Sequence, residues 1–417
     1  MLTLLLHHGS RQGFSWFRGG WGLGYDFGRL APRNGSASVK WSKAIMERMY
    51  GRTDLLPLWV ADMDFDCAQP IKDALARVAS SGIFGYSCRT EEYMDATSGW
   101  FSIRHGWDVD KDWLVFSPGV VAGINAIIQQ FTSPGDKIIL QSPVYHPFFS
   151  LIAGNGRLVS DNRLLELGGG DYAMDFEDLE RRACDPKAKL LLLCSPHNPV
   201  GKVWSRAELE RLGDICLANG VLVVADEIHC DLVFKERRHI PFASIKESFA
   251  MGSITCTAIS KTFNLAGLQV SNLIAANGEL RSGLEERLET SGIAEPNPFG
   301  LAAAVAAYTE GGGWLDEALS YMEKNRDAIE DFIRSHIPEI TYRKPDGTYL
   351  AWLDFRGLGL GDDGLKNMLV EEARVALNQG YVFGSAGSGF ARLNFACPRL
   401  VLDKALEGIA KAVGKAR

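Results

Sequence analysis

The sequence predicts an α/β fold: a large domain with a mainly parallel sheet and helices on both faces, plus a smaller α+β domain. Three observations carry that expectation. Apolar runs recur at 113–116, within 136–141, at 190–194 and at 221–225, as strands buried on both faces of a sheet would read. Segments of helical spacing alternate with those runs from about Leu114 to Ile259, as in parallel strands joined by crossover helices. A separate mixed pattern begins after Tyr342.

Taken in order, residues 1–24 are rich in glycine and aromatics without period and read as a disordered extension. Residues 25–80 are predicted to form an N-terminal arm and part of the small domain, 81–312 the large domain, and 313–417 the C-terminal small domain. The arm is extended over 56–65, and helical periodicity follows Pro70. A Gly-bounded aromatic loop at 82–86 precedes a helix over 91–105 that stops at Gly106. The stretch 113–124 reads as strand, tight turn and helix start. Residues 136–141 form a strand leading to Tyr145 between two prolines, and 190–194 a strand ending in a turn that Pro196 and Pro199 make rigid. A helix over 208–219 is closed by Gly220, and the strand 221–226 ends in Asp226 and Glu227. Helices are expected at 301–308, 314–336 and 364–377, the last followed by a stretch over 383–395 that carries Arg392.

A chain of 417 residues is long enough for such a two-part architecture. With 44 basic and 51 acidic residues the net charge is -7, which argues against a general nucleic-acid binder or an anionic-membrane binder. No stretch approaches the ~18 apolar residues that a membrane helix requires. The eight cysteines form no Cys-x-x-Cys pair and no metal-ligand spacing, so they read as reduced thiols of a cytoplasmic protein with no metal site.

The chemistry is expected around Ser260-Lys261-Thr262. A lysine confined after an apolar strand end loses charge stabilisation, so its amine becomes nucleophilic, as a Schiff-base lysine must be. Ligands of open α/β sheets bind at the carboxyl ends of strands, where Asp226 lies. A pyridoxal phosphate site needs one lysine and one carboxylate against the pyridine nitrogen, and Lys261 with Asp226 is the obvious pair. Backbone amides at Gly119, Val120 and Val121 suit a phosphate at a helix start. Tyr145 is placed to stack on a flat cofactor, and the rigid turn leaves Asn198 an amide to aim.

In this order the pieces resemble the class I aminotransferase-like enzymes of fold type I, in the MalY/PatB-type cystathionine β-lyase branch. Residues 57–65, 225–229 and 260–264 carry the finer match. The resemblance implies a Schiff base on Lys261, Asp226 at the pyridine nitrogen, Asn198 at the phenolic oxygen and Tyr145 on the ring. It also implies phosphate contacts from Gly119, Val120 and Ser260, with Tyr86 reaching the phosphate across a homodimer, and Arg392 on the substrate α-carboxylate. His229 stands where many aminotransferases carry a tyrosine, and Gln269 where many carry a phosphate-binding arginine. The implied activity is cleavage of L-cystathionine or S-substituted cysteines to a thiol, pyruvate and ammonia. An aminotransferase using the same site, or a member with an added regulatory role, is the alternative.

Overall fold

The computed structural model describes residues 24–33 and 37–416; apart from Gly24, the predicted N-terminal extension lies outside them. Seven strands build the central sheet: β1 (Leu114–Ser117), β2 (Lys137–Leu140), β3 (Leu158–Asp161), β4 (Ala188–Cys194), β5 (Leu222–Asp226), β6 (Ser253–Thr257) and β7 (Ser271–Ile274). Their order is β1-β7-β6-β5-β4-β2-β3. Only β7 runs against its neighbours, pairing antiparallel with both β1 and β6. The remaining six strands therefore point the same way, and their carboxyl ends share one edge.

Alternate side chains of the sheet enter two separate cores. Ile138, Leu140, Leu190, Leu192 and Val224 pack on one face; Ile139, Leu191, Leu193, Val223 and Ala225 pack on the other. Both faces are covered, which is why these strands read as continuous apolar runs. Helix Val120–Phe131 supplies Ile124, Ile127 and Ile128 to the first face. Helix Arg206–Ala218 supplies Leu209, Leu212 and Cys216 to the second. That helix opens with a reciprocal Ser205–Glu208 capping box, which satisfies two otherwise orphaned amides.

A four-stranded antiparallel sheet forms the smaller unit: β8 (Thr341–Tyr342), β9 (Leu350–Asp354), β10 (Asn378–Gln379) and β11 (Phe390–Asn394), in the order β8-β9-β11-β10. The predicted helix over 364–377 is shorter than expected. Helix Asp362–Asn367 widens into a π-turn over Met368–Glu372, Arg374 takes a positive φ of 59°, and Val375–Ala376 pairs in parallel with Leu56–Pro57. The arm wins that backbone: Leu56 N donates to Arg374 O and Leu58 N to Ala376 O. Apolar residues at 375–377 suit either conformation, so tertiary pairing decides.

The arm is pinned again at Asp64, which is 2% exposed and accepts from Lys40 Nζ at 2.8 Å and Trp41 Nε1 at 2.8 Å. Lys40 Nζ also donates to Asp62 O at 3.0 Å. Removing Asp64 from such a buried pair costs about 3–5 kcal/mol, because the Lys40 charge is left without its partner. The arm is thereby held across the lip of the strand ends.

Candidate active site

Five strands deliver the predicted residues to one edge. Strand β1 ends before Gly119, β2 before Tyr145, β4 before Asn198, β5 at Asp226, and β6 just before the four-residue helix Ile259–Thr262 that bears Lys261. Arg392 arrives from the small sheet on β11, where it pairs with Trp352 and Asn378.

Lys261 Nζ donates to Ala61 O of the arm at 2.8 Å. Burial holds its pKa below the ordinary lysine value and Arg392 lowers it further, whereas Asp62 and Asp226 act in the opposite sense. Asp226 is buried, and burial pushes its pKa up to about 7; a hydrogen bond from Ile228 N at 3.2 Å and the charge of Lys261 counter this only partly. No ion pair joins Lys261 to Asp226 among the described residues, although each shifts the other's ionisation. Two ionisable groups in one dry site with no direct bond between them leave room for a ligand.

Arg392 is 3% exposed and has no carboxylate partner among the described residues. Its Nη1 donates to Asn198 Oδ1 at 2.9 Å, and its Nη2 to Trp59 O at 2.9 Å and Asn378 Oδ1 at 2.7 Å. Its buried Nε has no hydrogen-bond partner. Three of the five guanidinium N–H donors are thus used; Nε–H and one Nη1–H remain, on different sides of the group, each a single donor for a ligand. Burial lowers its pKa to about 10, the penalty of a cation kept dry without an anion.

The remaining predicted residues frame this cluster. Asn198 is 3% exposed; with Oδ1 held by Arg392, its Nδ2 has no hydrogen-bond partner among the described residues. His229 is buried with an unpartnered Nδ1, and burial, reinforced by Lys261 and Arg392, brings its pKa down to about 3, so the ring is neutral. Tyr145 is half-buried, and burial, then the charge of Asp226, pushes its hydroxyl up to about 12. Ser260 is half-buried beside Lys261. Gly119 has φ +150, with open space where a Cβ would stand, and caps helix Val120–Phe131 without a side-chain bond. The amides of Val120 and Val121 are therefore left free at a positive helix end. Tyr86 is 99% exposed and touches none of these groups within the chain. Gln269 is exposed in the left-handed region, with φ 54°.

Three contributors escaped the sequence reading. Tyr349 donates its hydroxyl to Ala61 O at 2.8 Å, sharing that oxygen with Lys261. Asn378 holds Arg392 from the neighbouring strand. His146, whose ring lies 5.6 Å from that of Phe383, is exposed, and partial desolvation with the charge of Arg392 draws its pKa below the usual imidazole value. Tyr349 and Asn378 carry no local signature, since the arm and strand pairing bring them in; His146 adjoins Tyr145 at the cap of helix Pro147–Gly154.

The raised pKa of Asp226 has a measurable consequence in the cofactor-free protein. Unfolded, the group titrates near 3.8; folded, near 7. The folded state therefore binds the extra proton between these values, and this contribution to stability, complete below the unfolded pKa, is lost as pH rises through the folded one. Asp226→Asn cannot ionise, so thermal melts should show the variant gaining on wild type from about pH 4 to about pH 7 and holding level above. A gap that is constant with pH would mean the carboxylate is ionised throughout.

The chain is similar to known proteins over most of its length. The model of the class I and II aminotransferase family matches residues 53–409. Cystathionine β-lyase PatB from Bacillus subtilis (strain 168) is 44% identical over 388 residues, covering 93% of this chain and 100% of that protein. The crystal structure of cystalysin from Treponema denticola, which contains a pyridoxal 5′-phosphate cofactor, superposes with a TM-score of 0.92 at 36% identity, covering 95% of this chain and 100% of that one. The PLP-bound C-S lyase from Staphylococcus hominis gives 0.89 at 31% identity, with the same coverage.

Proposed function

The chain belongs to the class I and II aminotransferase family, and on that premise we propose that it is a pyridoxal phosphate-dependent carbon–sulfur β-lyase acting on L-cystathionine or S-substituted L-cysteines. One observation carries the reading: the Lys261 amine lies in electrostatic reach of both the Asp226 carboxyl group and the Arg392 guanidinium, yet no two of the three form an ion pair. Each is short of a partner, and a carbonyl carbon, a ring nitrogen and a substrate carboxylate would supply them. The unpaired His229 Nδ1, the free Asn198 Nδ2 and the unpartnered buried Thr257 Oγ1 are further polar atoms left for a ligand.

These residues fit pyridoxal phosphate. Lys261 would hold its carbonyl carbon, Asp226 its ring nitrogen, Asn198 its phenolic oxygen, and Tyr145 its ring face, with His229 beside them. The amides of Gly119, Val120 and Val121, with the Ser260 hydroxyl, would hold its phosphate. When bound, the cofactor supplies a sink for the electron pair left at the substrate Cα.

The protein's own groups do the rest. Arg392 would fix the α-carboxylate by its charge and a spare N–H donor, which orients the Cα–H bond. Lys261 Nζ, freed when the substrate amine takes its place on the carbonyl carbon and with its pKa lowered by burial, would take the Cα proton as general base. The Cβ–S bond then breaks with its electron pair on sulfur, and the Lys261 ammonium returns the proton to the departing thiolate. The carbon skeleton leaves as 2-aminoacrylate, which tautomerises and takes up water to give pyruvate and ammonia. His229 and His146, both neutral at pH 7, add no competing positive charge beside Arg392.

We read the working unit as a homodimer in which Tyr86 reaches the partner's phosphate site. In support, Ile83, Phe84 and Tyr86 are 82%, 58% and 99% exposed, an apolar group that a second copy would cover. Eight free cysteines fit a reducing cytoplasm, and no helix among the described residues is long and apolar enough to cross a membrane.

The deciding experiment incubates pyridoxal phosphate-loaded protein with cystathionine, cystine and S-alkyl cysteines, with and without a 2-oxoacid. Equal thiol and pyruvate independent of the 2-oxoacid is the expected result. Amino transfer without thiol release would make it an aminotransferase, and a single-chain mass by sedimentation would remove the dimer.

A further inference from the structure

Lys261 sits on a helix of only four residues, Ile259–Thr262, too short to fix its own register by main-chain hydrogen bonds. What lies behind it does so instead. Thr262 is fully buried and donates from Oγ1 to Asp231 Oδ2 at 2.8 Å. Asp231 Oδ1 accepts from Trp100 Nε1 at 3.0 Å and is 2.8 Å from His105 Nε2. Phe263, the next residue along, packs edge-on against the Trp100 ring at 5.6 Å. Both residues that follow the lysine are thus anchored to Asp231 or to helix Glu91–His105 that feeds it.

A second acid–imidazole pair meets the first. Glu227, adjoining Asp226 and wholly buried, pairs with His239 Nε2 at 2.9 Å and accepts from Phe242 N at 2.7 Å. The rings of His239 and His105 meet at right angles, 5.6 Å apart. One buried network therefore refers the chain positions of Lys261 and Asp226 to each other, and no step of the reaction above uses it. His105, Cys230 and Asp231 also bring possible metal-ligand atoms within 4.8 Å of one another. Both oxygens of Asp231 are already engaged, however, and burial holds the Cys230 thiol protonated, its pKa well above the ordinary value. Hydrogen bonding accounts for the cluster without an ion. Burial alone would raise the pKa of Asp231; the bonds to His105, Thr262 and Trp100 outweigh it and hold the carboxyl below its usual range. It is an ionised acid inside the protein, and its charge is spent on orientation.

We propose that Asp231 is a positioning residue for Lys261, setting the register of the short helix through Thr262 and through Trp100. The proposal rests on the reading of Lys261 as the cofactor-bearing amine. Truncating Asp231 itself would strand three partners and threaten folding, so the test acts on its donors from two different elements. Thr262→Val and Trp100→Phe are compared, as pyridoxal phosphate-loaded protein, with wild type, with Thr262→Ser, and with Ser253→Ala. The last removes a buried hydroxyl's bond to a main-chain carbonyl (2.6 Å, to Phe249 O) at the start of β6, the strand that leads into the lysine's helix. The readouts are the melting temperature, the pH midpoint of the visible cofactor band, and kcat and KM for thiol release.

Thr262→Val and Trp100→Phe should move the midpoint by about half a pH unit or more. They should lower kcat about 10-fold while KM stays within about 3-fold, the pattern of a reacting group misplaced after binding. Thr262→Ser should return both to near wild type, and Ser253→Ala should lower only the melting temperature. Midpoint and kcat unmoved in either folded donor variant would overturn the proposal. Wild-type protein that shows no visible band at all would overturn the proposed function and this inference with it, which keeps the two failures distinct.

Discussion

Lys261→Ala is expected to release no measurable thiol from cystathionine, a loss of at least about 10⁴-fold. The size follows from two duties resting on one atom. Nζ would be both the point of attachment for the cofactor and the base for the substrate Cα, and the neutral histidines nearby are too weakly basic to replace it. The fold should survive, because Ala61 O keeps its second donor, the Tyr349 hydroxyl at 2.8 Å. The checks are a chromogenic thiol assay, the visible absorbance band and a thermal melt on one preparation. Turnover within about 10-fold of wild type would place the base elsewhere and end the assignment.

Arg392→Lys should lower kcat/KM about 100-fold, mostly through KM, since an ammonium that kept the bonds to Asn198, Trp59 O and Asn378 would have no N–H donor left for a carboxylate. Arg392→Ala should do worse and also cost stability. Asn198, Asn378 and Trp59 O would each lose a donor, and a buried polar group left unsatisfied costs about 1–3 kcal/mol. Steady-state kinetics on cystathionine and on a substrate lacking the α-carboxylate separate the two effects. If both variants discriminate between these substrates as wild type does, the carboxylate is held by another group.

How much of this was legible before any coordinates follows from where each signal lives. The sheet was readable because burial on both faces forces uninterrupted apolar letters, as in Leu190 to Cys194. Asp226 and Lys261 were readable because strand ends put charge directly after such runs. Tyr349, Asn378 and Asp231 were not. Tyr349 meets Ala61 across 288 residues, Asn378 meets Arg392 through a strand of two residues with no period to detect, and Asp231 looks like any acid after a strand until Trp100 and Thr262 close on it. The helix predicted over 364–377 overran for a related reason. Apolar letters state that a segment is buried, and only the distant arm states in which conformation.

That arm has one more consequence. Between Trp59 and Met63 the groups that meet Arg392, Asn394, Lys261, Tyr349, Lys40 and Asn264 are main-chain oxygens and one amide. The strip acts as a ruler whose marks are peptide units, indifferent in large part to which side chains hang from it. Exchanges of letters there are tolerable wherever the new side chain fits, but a one-residue insertion or deletion would slide every mark past its reader at once.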